Sequence, residues 1–84
     1  MATGKTLLTL KELSSWVTES VQKFEDCEGT AVKVQYRLQT PDAYGCNWSD
    51  CVVLNLGPSA SEDVVLEHVG NLVREARAMF NIRD

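Results

Sequence analysis

The sequence predicts a small α+β domain in which an antiparallel β-hairpin is covered on one face by two amphipathic helices. Three observations support this fold class. Apolar residues alternate with polar ones in the middle third of the 84-residue chain, a helical period precedes and follows that region, and a turn-rich stretch divides it. The order helix, strand, strand, helix is typical of two packed layers. We therefore expect residues 1–84 to form one domain with a two-layer α-β-β-α arrangement.

The first helix is predicted over residues 10–27, with Gly29 ending it. Thr9 and Glu12 have the spacing of a capping box, in which each side chain binds the backbone N–H of the other residue. One stripe of this helix is apolar and consists of Leu10, Leu13, Val17, Val21 and Phe24. We expect this stripe to face the hairpin.

The two strands are predicted over residues 30–39 and 48–56, with a turn that begins at Thr40-Pro41. In the first strand the polar positions are Lys33, Gln35, Arg37 and Gln39, and the apolar ones are Val32, Val34, Tyr36 and Leu38. In the second strand we expect Val52, Leu54 and Leu56 to face the helices, which leaves Cys51 and Val53 on the solvent face. The connection is too long for the sequence to determine the hairpin register.

The second helix is predicted over residues 60–80, with Ser59 or Ser61 as its N-cap. Its apolar stripe is predicted to contain Val65, Val69, Leu72, Ala76 and Met79, and it is widened on one side by Leu66, Val73 and Phe80. Glycine inside a helix lowers stability by about 1 kcal/mol relative to alanine. Gly70 is therefore either required by a close contact with a neighbouring element or simply tolerated. The sequence does not decide whether residues 6–8 form a short additional strand.

The composition indicates a globular chain without a membrane segment. It is 44% hydrophobic and 24% charged, as in ordinary globular domains. No apolar run approaches the ~20 residues of a membrane span, and the N-terminus lacks a signal-peptide pattern. We therefore expect a cytoplasmic protein. The net charge of −4 argues against nonspecific binding to nucleic acid, and the three cysteines are expected to be free thiols.

The sequence contains no set of residues that predicts catalysis, and we expect neither an enzyme nor a cofactor. Cys46 and Cys51 are separated by four residues, whereas redox pairs usually have two. With Cys27 and His68 they make four residues of the types that bind zinc. Cys27 and Cys46 lie at opposite ends of a predicted strand, however, more than about 20 Å apart at ~3.3 Å per residue. We therefore expect no metal, and we interpret His68 as a packing residue.

The exposed strand edges of a two-stranded hairpin favour association with another chain. We expect a non-enzymatic protein-interaction domain that forms a homodimer through the hairpin edge. A monomer with a third strand is the alternative. The predicted interaction face consists of Lys33, Gln35, Arg37, Cys51 and Val53.

Two other functional classes stay open at the sequence level. A nucleic-acid-binding module would use Lys33 and Arg37, although the same face lacks the aromatic residues that stack on bases. A small-molecule pocket would lie between the helices and the sheet. Trp16 and Trp48 would be contact residues if they were exposed, but each is more commonly a core residue.

Overall fold

The computed structural model describes residues 5–35, 38–41, 43, 45–58 and 60–83, and these form an α+β fold. Two helices and an antiparallel hairpin are present, as predicted, together with a parallel strand pair. The elements are β1 (Thr6–Leu8), α1 (Leu10–Gln22), a 3₁₀ turn (Glu25–Cys27), β2 (Ala31–Val34), β3 (Cys51–Asn55), α2 (Glu62–Met79) and β4 (Phe80–Ile82).

Helix α1 begins with the predicted capping box. Thr9 Oγ1 accepts a hydrogen bond from the Glu12 N–H at 3.0 Å, and the Thr9 N–H donates to Glu12 Oε1 at 2.8 Å. The buried side of the helix consists of Leu13, Val17 and Val21. The helix ends earlier than predicted, and a 3₁₀ turn brings Cys27 into the core.

The hairpin is confirmed, but the predicted inward face of its second strand is wrong. Val32 pairs with Val53, and Val34 pairs with Cys51. Directly opposed residues share one face of an antiparallel pair, so Cys51 and Val53 point toward the core with their buried partners. Val52 is exposed, as are the other two residues predicted to face the helices, Leu54 and Leu56.

The apolar run in this strand explains the error. Residues 51–54 are Cys-Val-Val-Leu, so both alternating sets are apolar and periodicity cannot distinguish them. A slip of one residue reverses the face of every side chain in a strand. The register also skips Leu54, because Val32 pairs with Val53 while the adjacent Ala31 pairs with Asn55. Tyr36 and Arg37, which were predicted to extend the first strand, lie outside the described residues.

Helix α2 begins after Ser61, the alternative N-cap, whereas Ser59 lies outside the described residues. Its buried residues are Val65, Val69, Val73 and Ala76, and Leu72 is partly buried against the same core. The helix ends at Met79, and Phe80 begins a strand instead of continuing the helix. Within the described part of the chain, no helix has both the length and the apolar character needed to span a membrane.

The two ends of the chain pair with each other. Strand β1 runs parallel to β4, with Thr6 opposite Phe80 and Leu8 opposite Ile82. The Arg83 N–H extends this pairing by donating to Leu8 O at 2.9 Å. The N-terminal strand that the sequence left open therefore exists, but its partner is the C-terminal strand rather than the hairpin.

Asn47 and Trp48 connect the hairpin to β4. The Asn47 side chain donates from Nδ2 to Ile82 O at 2.6 Å, and its Oδ1 accepts the Ile82 N–H at 2.8 Å. Trp48 is fully buried, and its indole N–H donates to Phe80 O at 3.0 Å. Two consecutive residues thus bind the C-terminal strand to the middle of the chain.

Gly57 and Gly70 provide a matched pair of alanine substitutions. A Cβ at Gly57 would collide with the Glu28 carbonyl oxygen, whereas a Cβ at Gly70 would meet no atom within 4 Å. We expect Gly57→Ala to lower the free energy of unfolding by about 2 kcal/mol or more, because backbone must move. Gly70→Ala should raise it by about 0.5–1 kcal/mol. Urea unfolding followed by circular dichroism measures both, and shifts in the same direction would contradict this packing.

Replacing Asn47 tests the connection between the hairpin and β4. Asn47→Ala leaves the Ile82 N–H and C=O without their side-chain partners, so the free energy of unfolding should fall by about 2 kcal/mol or more. Asn71→Ala, on an exposed position of α2, is the control and should leave stability equal or slightly higher. Equal urea midpoints for the two variants would show that the Asn47 amide does not contribute to the free energy of unfolding.

Candidate interaction surface

Side chains of α1 cover the outer edge of β2. The Val32 N–H donates to Thr18 Oγ1 at 3.0 Å, and the same hydroxyl donates to Val32 O at 2.7 Å. Ser14 Oγ accepts the Val34 N–H at 3.0 Å. These hydroxyls use backbone groups that another strand would otherwise bind, so the β2 edge is closed to strand addition.

The outer edge of β3 is different. Strand β3 pairs with β2 and, among the described residues, with no other strand. Its sequence, Cys51-Val-Val-Leu-Asn55, carries no charge. Edges that stay unpaired in natural proteins are commonly protected by lysine, proline or a covering element. Strand β3 itself has no lysine, proline or charged residue, and the nearest charged residue in the chain is Asp50, whose Oδ1 accepts the Cys51 N–H at 2.7 Å at the start of the strand.

An apolar cleft follows the β3 edge. Val53 and Leu56 line one side of this space of about 160 Å³, and Leu66 and Glu62 of α2 line the other. Leu66 is 50% exposed, and Leu54, at the position that the register skips, is 62% exposed. We call Val53, Leu54, Leu56 and Leu66 the β3 edge strip.

The structure divides the predicted interaction face between the two faces of the hairpin. Lys33 and Gln35 are exposed, as expected for the solvent face. Cys51 and Val53 are partly buried against the core on the opposite face, and Arg37 lies outside the described residues. Leu66 was not among the predicted interaction residues, although the sequence places it beside the apolar stripe of the second helix.

Basic side chains of the described residues lie on several separate surfaces. Lys33 lies on the hairpin, whereas Lys5, Arg74 and Arg77 line a cleft of about 430 Å³. In that cleft Lys5 Nζ donates to Arg77 O at 2.7 Å, and Arg77 Nε donates to Trp48 O at 3.1 Å. Lys5 and Arg77 therefore bind backbone carbonyls of the fold, and their placement gives no support to the nucleic-acid alternative.

The cysteines are free thiols in protected surroundings. Cys46 is buried, with Sγ 3.3 Å from Trp48 O. Burial, together with the negative charge of Asp50, raises the pKa of Cys51 to about 12. Reactive thiols have pKa values below the ordinary range, so this environment does not favour a thiolate at neutral pH.

Asp26, Cys27 and His68 form a second cluster, away from the β3 edge strip. Asp26 Oδ1 lies 3.7 Å from both Cys27 Sγ and His68 Nε2. The Phe24 ring stacks on the imidazole with a centroid separation of 3.9 Å and an interplanar angle of 15°. Of the four zinc-type residues in the sequence, Cys27 and His68 do come together, and Asp26 joins them.

Neither Cys46 nor Cys51 belongs to a group of metal-ligand atoms among the described residues. These two cysteines therefore do not join Cys27 and His68 in such a group. The sequence analysis missed Asp26, whose only signal was that it precedes Cys27.

No protein-family model matches this chain, and the curated proteins and solved structures with which it was compared give no match either.

The raised pKa of Cys51 predicts a loss of stability in alkali. Between about pH 9 and pH 12 the thiol ionises in the unfolded chain but keeps its proton in the folded one, so the free energy of unfolding falls as pH rises. Below about pH 9 the Cys51 thiol keeps its proton in both states, so its ionisation does not lower the free energy of unfolding there. We expect wild type to lose about 1–2 kcal/mol more than Cys51→Ala between pH 8 and pH 11. Urea unfolding across this range measures the difference, and parallel pH profiles would contradict it.

Proposed function

We propose that this chain is a non-enzymatic interaction domain that self-associates through the open edge of β3. The observation that carries the proposal is the difference between the two hairpin edges. The hydroxyls of Ser14 and Thr18 occupy backbone groups of β2. Strand β3, beyond the Cys51 N–H that Asp50 binds, contains no charged residue and lies beside an apolar cleft. An edge with these properties favours pairing with a strand from another molecule.

Strand addition would use both parts of this surface. An added strand binds by main-chain hydrogen bonds, and its alternate side chains enter neighbouring pockets, which makes the pairing specific. Here the pocket lies between β3 and α2, where Leu56 and Leu66 are exposed. The apolar side chains of an added strand would cover these two leucines.

A second copy of the chain is the occupant that fits this surface best. Strand β3 contains Val52, Val53 and Leu54 and no charge, so it supplies the same apolar side chains that the β3 edge strip accepts. Antiparallel pairing about a two-fold axis lets each copy provide both strand and cleft. The product would be a four-stranded sheet in the order β2, β3, β3 of the second copy and β2 of the second copy.

The expected dimer is weak. Strand β3 has five residues, and the flanking cleft is small. Complexes that bury less than about 1,200 Å² in total belong to the low-affinity class, so we expect a dissociation constant in the micromolar range.

The proposal includes a two-layer arrangement with both helices on the same face of the hairpin. Its support is that α1 packs against both β2 and α2, and that Val32 and Val34 are buried while Lys33 between them is exposed. This arrangement would leave the Lys33 face and the β3 edge free in the monomer.

Two lysine substitutions at exposed leucines test the dimer. Leu54→Lys places like charges near the two-fold axis, whereas Leu7→Lys changes a leucine of similar exposure, 59% against 62%, on β1. Light scattering coupled to size-exclusion chromatography at high micromolar concentration should give twice the monomer mass of 9.3 kDa for wild type and for Leu7→Lys. Leu54→Lys should elute as a monomer.

Urea unfolding provides the control for folding, since substitutions at such exposed sites should change stability by no more than about 0.5 kcal/mol. A monomeric wild type would overturn the proposal. A dimer that Leu7→Lys disrupts and Leu54→Lys does not would place the interface at β1 instead.

A further inference from the structure

We propose that Asp26, Cys27 and His68 bind a zinc ion that connects the 3₁₀ turn to α2. This site is separate from the β3 edge strip and does not depend on self-association. It involves one carboxylate, one thiol and one imidazole from two different elements of the fold. No metal was expected from the sequence because Cys27 and Cys46 lie at opposite ends of a predicted strand, and Asp26 was not among the residues compared.

The distances between the ligand atoms match a tetrahedral site. Zinc binds these donors at about 2.0–2.3 Å, which places neighbouring ligand atoms roughly 3.3–3.8 Å apart. Asp26 Oδ1 lies 3.7 Å from both Cys27 Sγ and His68 Nε2, and all three atoms are within 4.8 Å of one another. A contraction of at most about 1.0–1.5 Å between Sγ and Nε2 completes the geometry.

The donor types favour zinc over magnesium or calcium. Thiolate and imidazole are ligands of zinc and other borderline metals, whereas magnesium and calcium prefer oxygen alone. When the ion binds, the Cys27 S–H bond breaks, the proton leaves to solvent and a zinc–sulfur bond forms. The thiolate of Cys27 and the carboxylate of Asp26 then balance the two positive charges, and no electron is transferred.

The fold holds two of the three ligands, His68 and Cys27, in position. His68 lies within α2, one residue before the buried Val69, and Phe24 stacks on its ring. The backbone of Cys27 is fixed on both sides, since its N–H donates to Phe24 O at 2.9 Å and its carbonyl accepts the Thr30 N–H at 3.1 Å. Ligands that are already placed lose little conformational freedom when the ion binds.

The site is open to solvent on one side. Asp26 and His68 face a cleft of about 750 Å³, which Glu25 and Glu28 also line. Their carboxylates add negative charge that attracts a cation. The open side leaves a fourth coordination position for a water molecule, an arrangement known from zinc sites with three protein ligands.

Cobalt(II) substitution tests whether the metal binds the Cys27 thiolate. Cobalt bound to a thiolate gives a near-ultraviolet charge-transfer band, and zinc should abolish this band by displacing the cobalt. We expect the band in wild type and in the separate variants Cys46→Ser and Cys51→Ser, but not in Cys27→Ser. A band that survives in Cys27→Ser, or no band in wild type, would overturn the site.

Cys27 is fully buried, so replacing it alters the core. A second pair of variants therefore tests the site at residues outside the core. His68→Gln removes the imidazole, and Glu67→Gln changes the adjacent exposed carboxylate as the matched control. Titration with zinc in a calorimeter should show one ion per chain and an affinity at least about tenfold weaker for His68→Gln than for Glu67→Gln. Equal affinities for the two variants, or no binding by wild type, would contradict the proposal.

Discussion

The paired hydrogen bonds between the Asn47 amide and the Ile82 backbone are the interaction on which this fold depends. The hairpin and the β1–β4 pair are separate two-stranded sheets, and a two-stranded sheet is marginally stable by itself. The Asn47 amide offers one donor and one acceptor to Ile82, as a residue of a neighbouring strand would. With Trp48 bound to Phe80 in the core, it joins the two sheets into one structure.

This connection places α1 next to the outer edge of β2 in the hairpin. Trp16 of α1 packs edge-to-face on Phe80, with ring centroids 5.2 Å apart, so the helix is held next to the C-terminal strand. Ser14 and Thr18 are four residues apart and share a side of α1, and that side lies along the β2 edge. Polar residues of α1 thus form hydrogen bonds with the backbone of β2. The asymmetry of the hairpin, with one edge closed and one open, follows from their position.

The helix residues with the strongest local signals were predictable. The Thr9–Glu12 capping box and the buried series Leu13, Val17 and Val21 depend on spacing within one helix, and the structure contains all of them. The class of the fold followed from the same periodic signals. The C-terminal strand was not predictable, because three residues are too few to show a period and Phe80 also fits the apolar stripe of the preceding helix.

The sequence by itself determined the helices, the two strand segments of the hairpin and their order, because the patterns that mark them repeat within a few residues. Only the tertiary structure decided which face of β3 is buried, since both alternating sets in that strand are apolar and pairing with β2 selects one. The proximity of Asp26 and Cys27 to His68 also depends on the tertiary structure. Those residues approach each other because the 3₁₀ turn packs on α2, and a contact between distant parts of a chain leaves no periodic trace in its sequence.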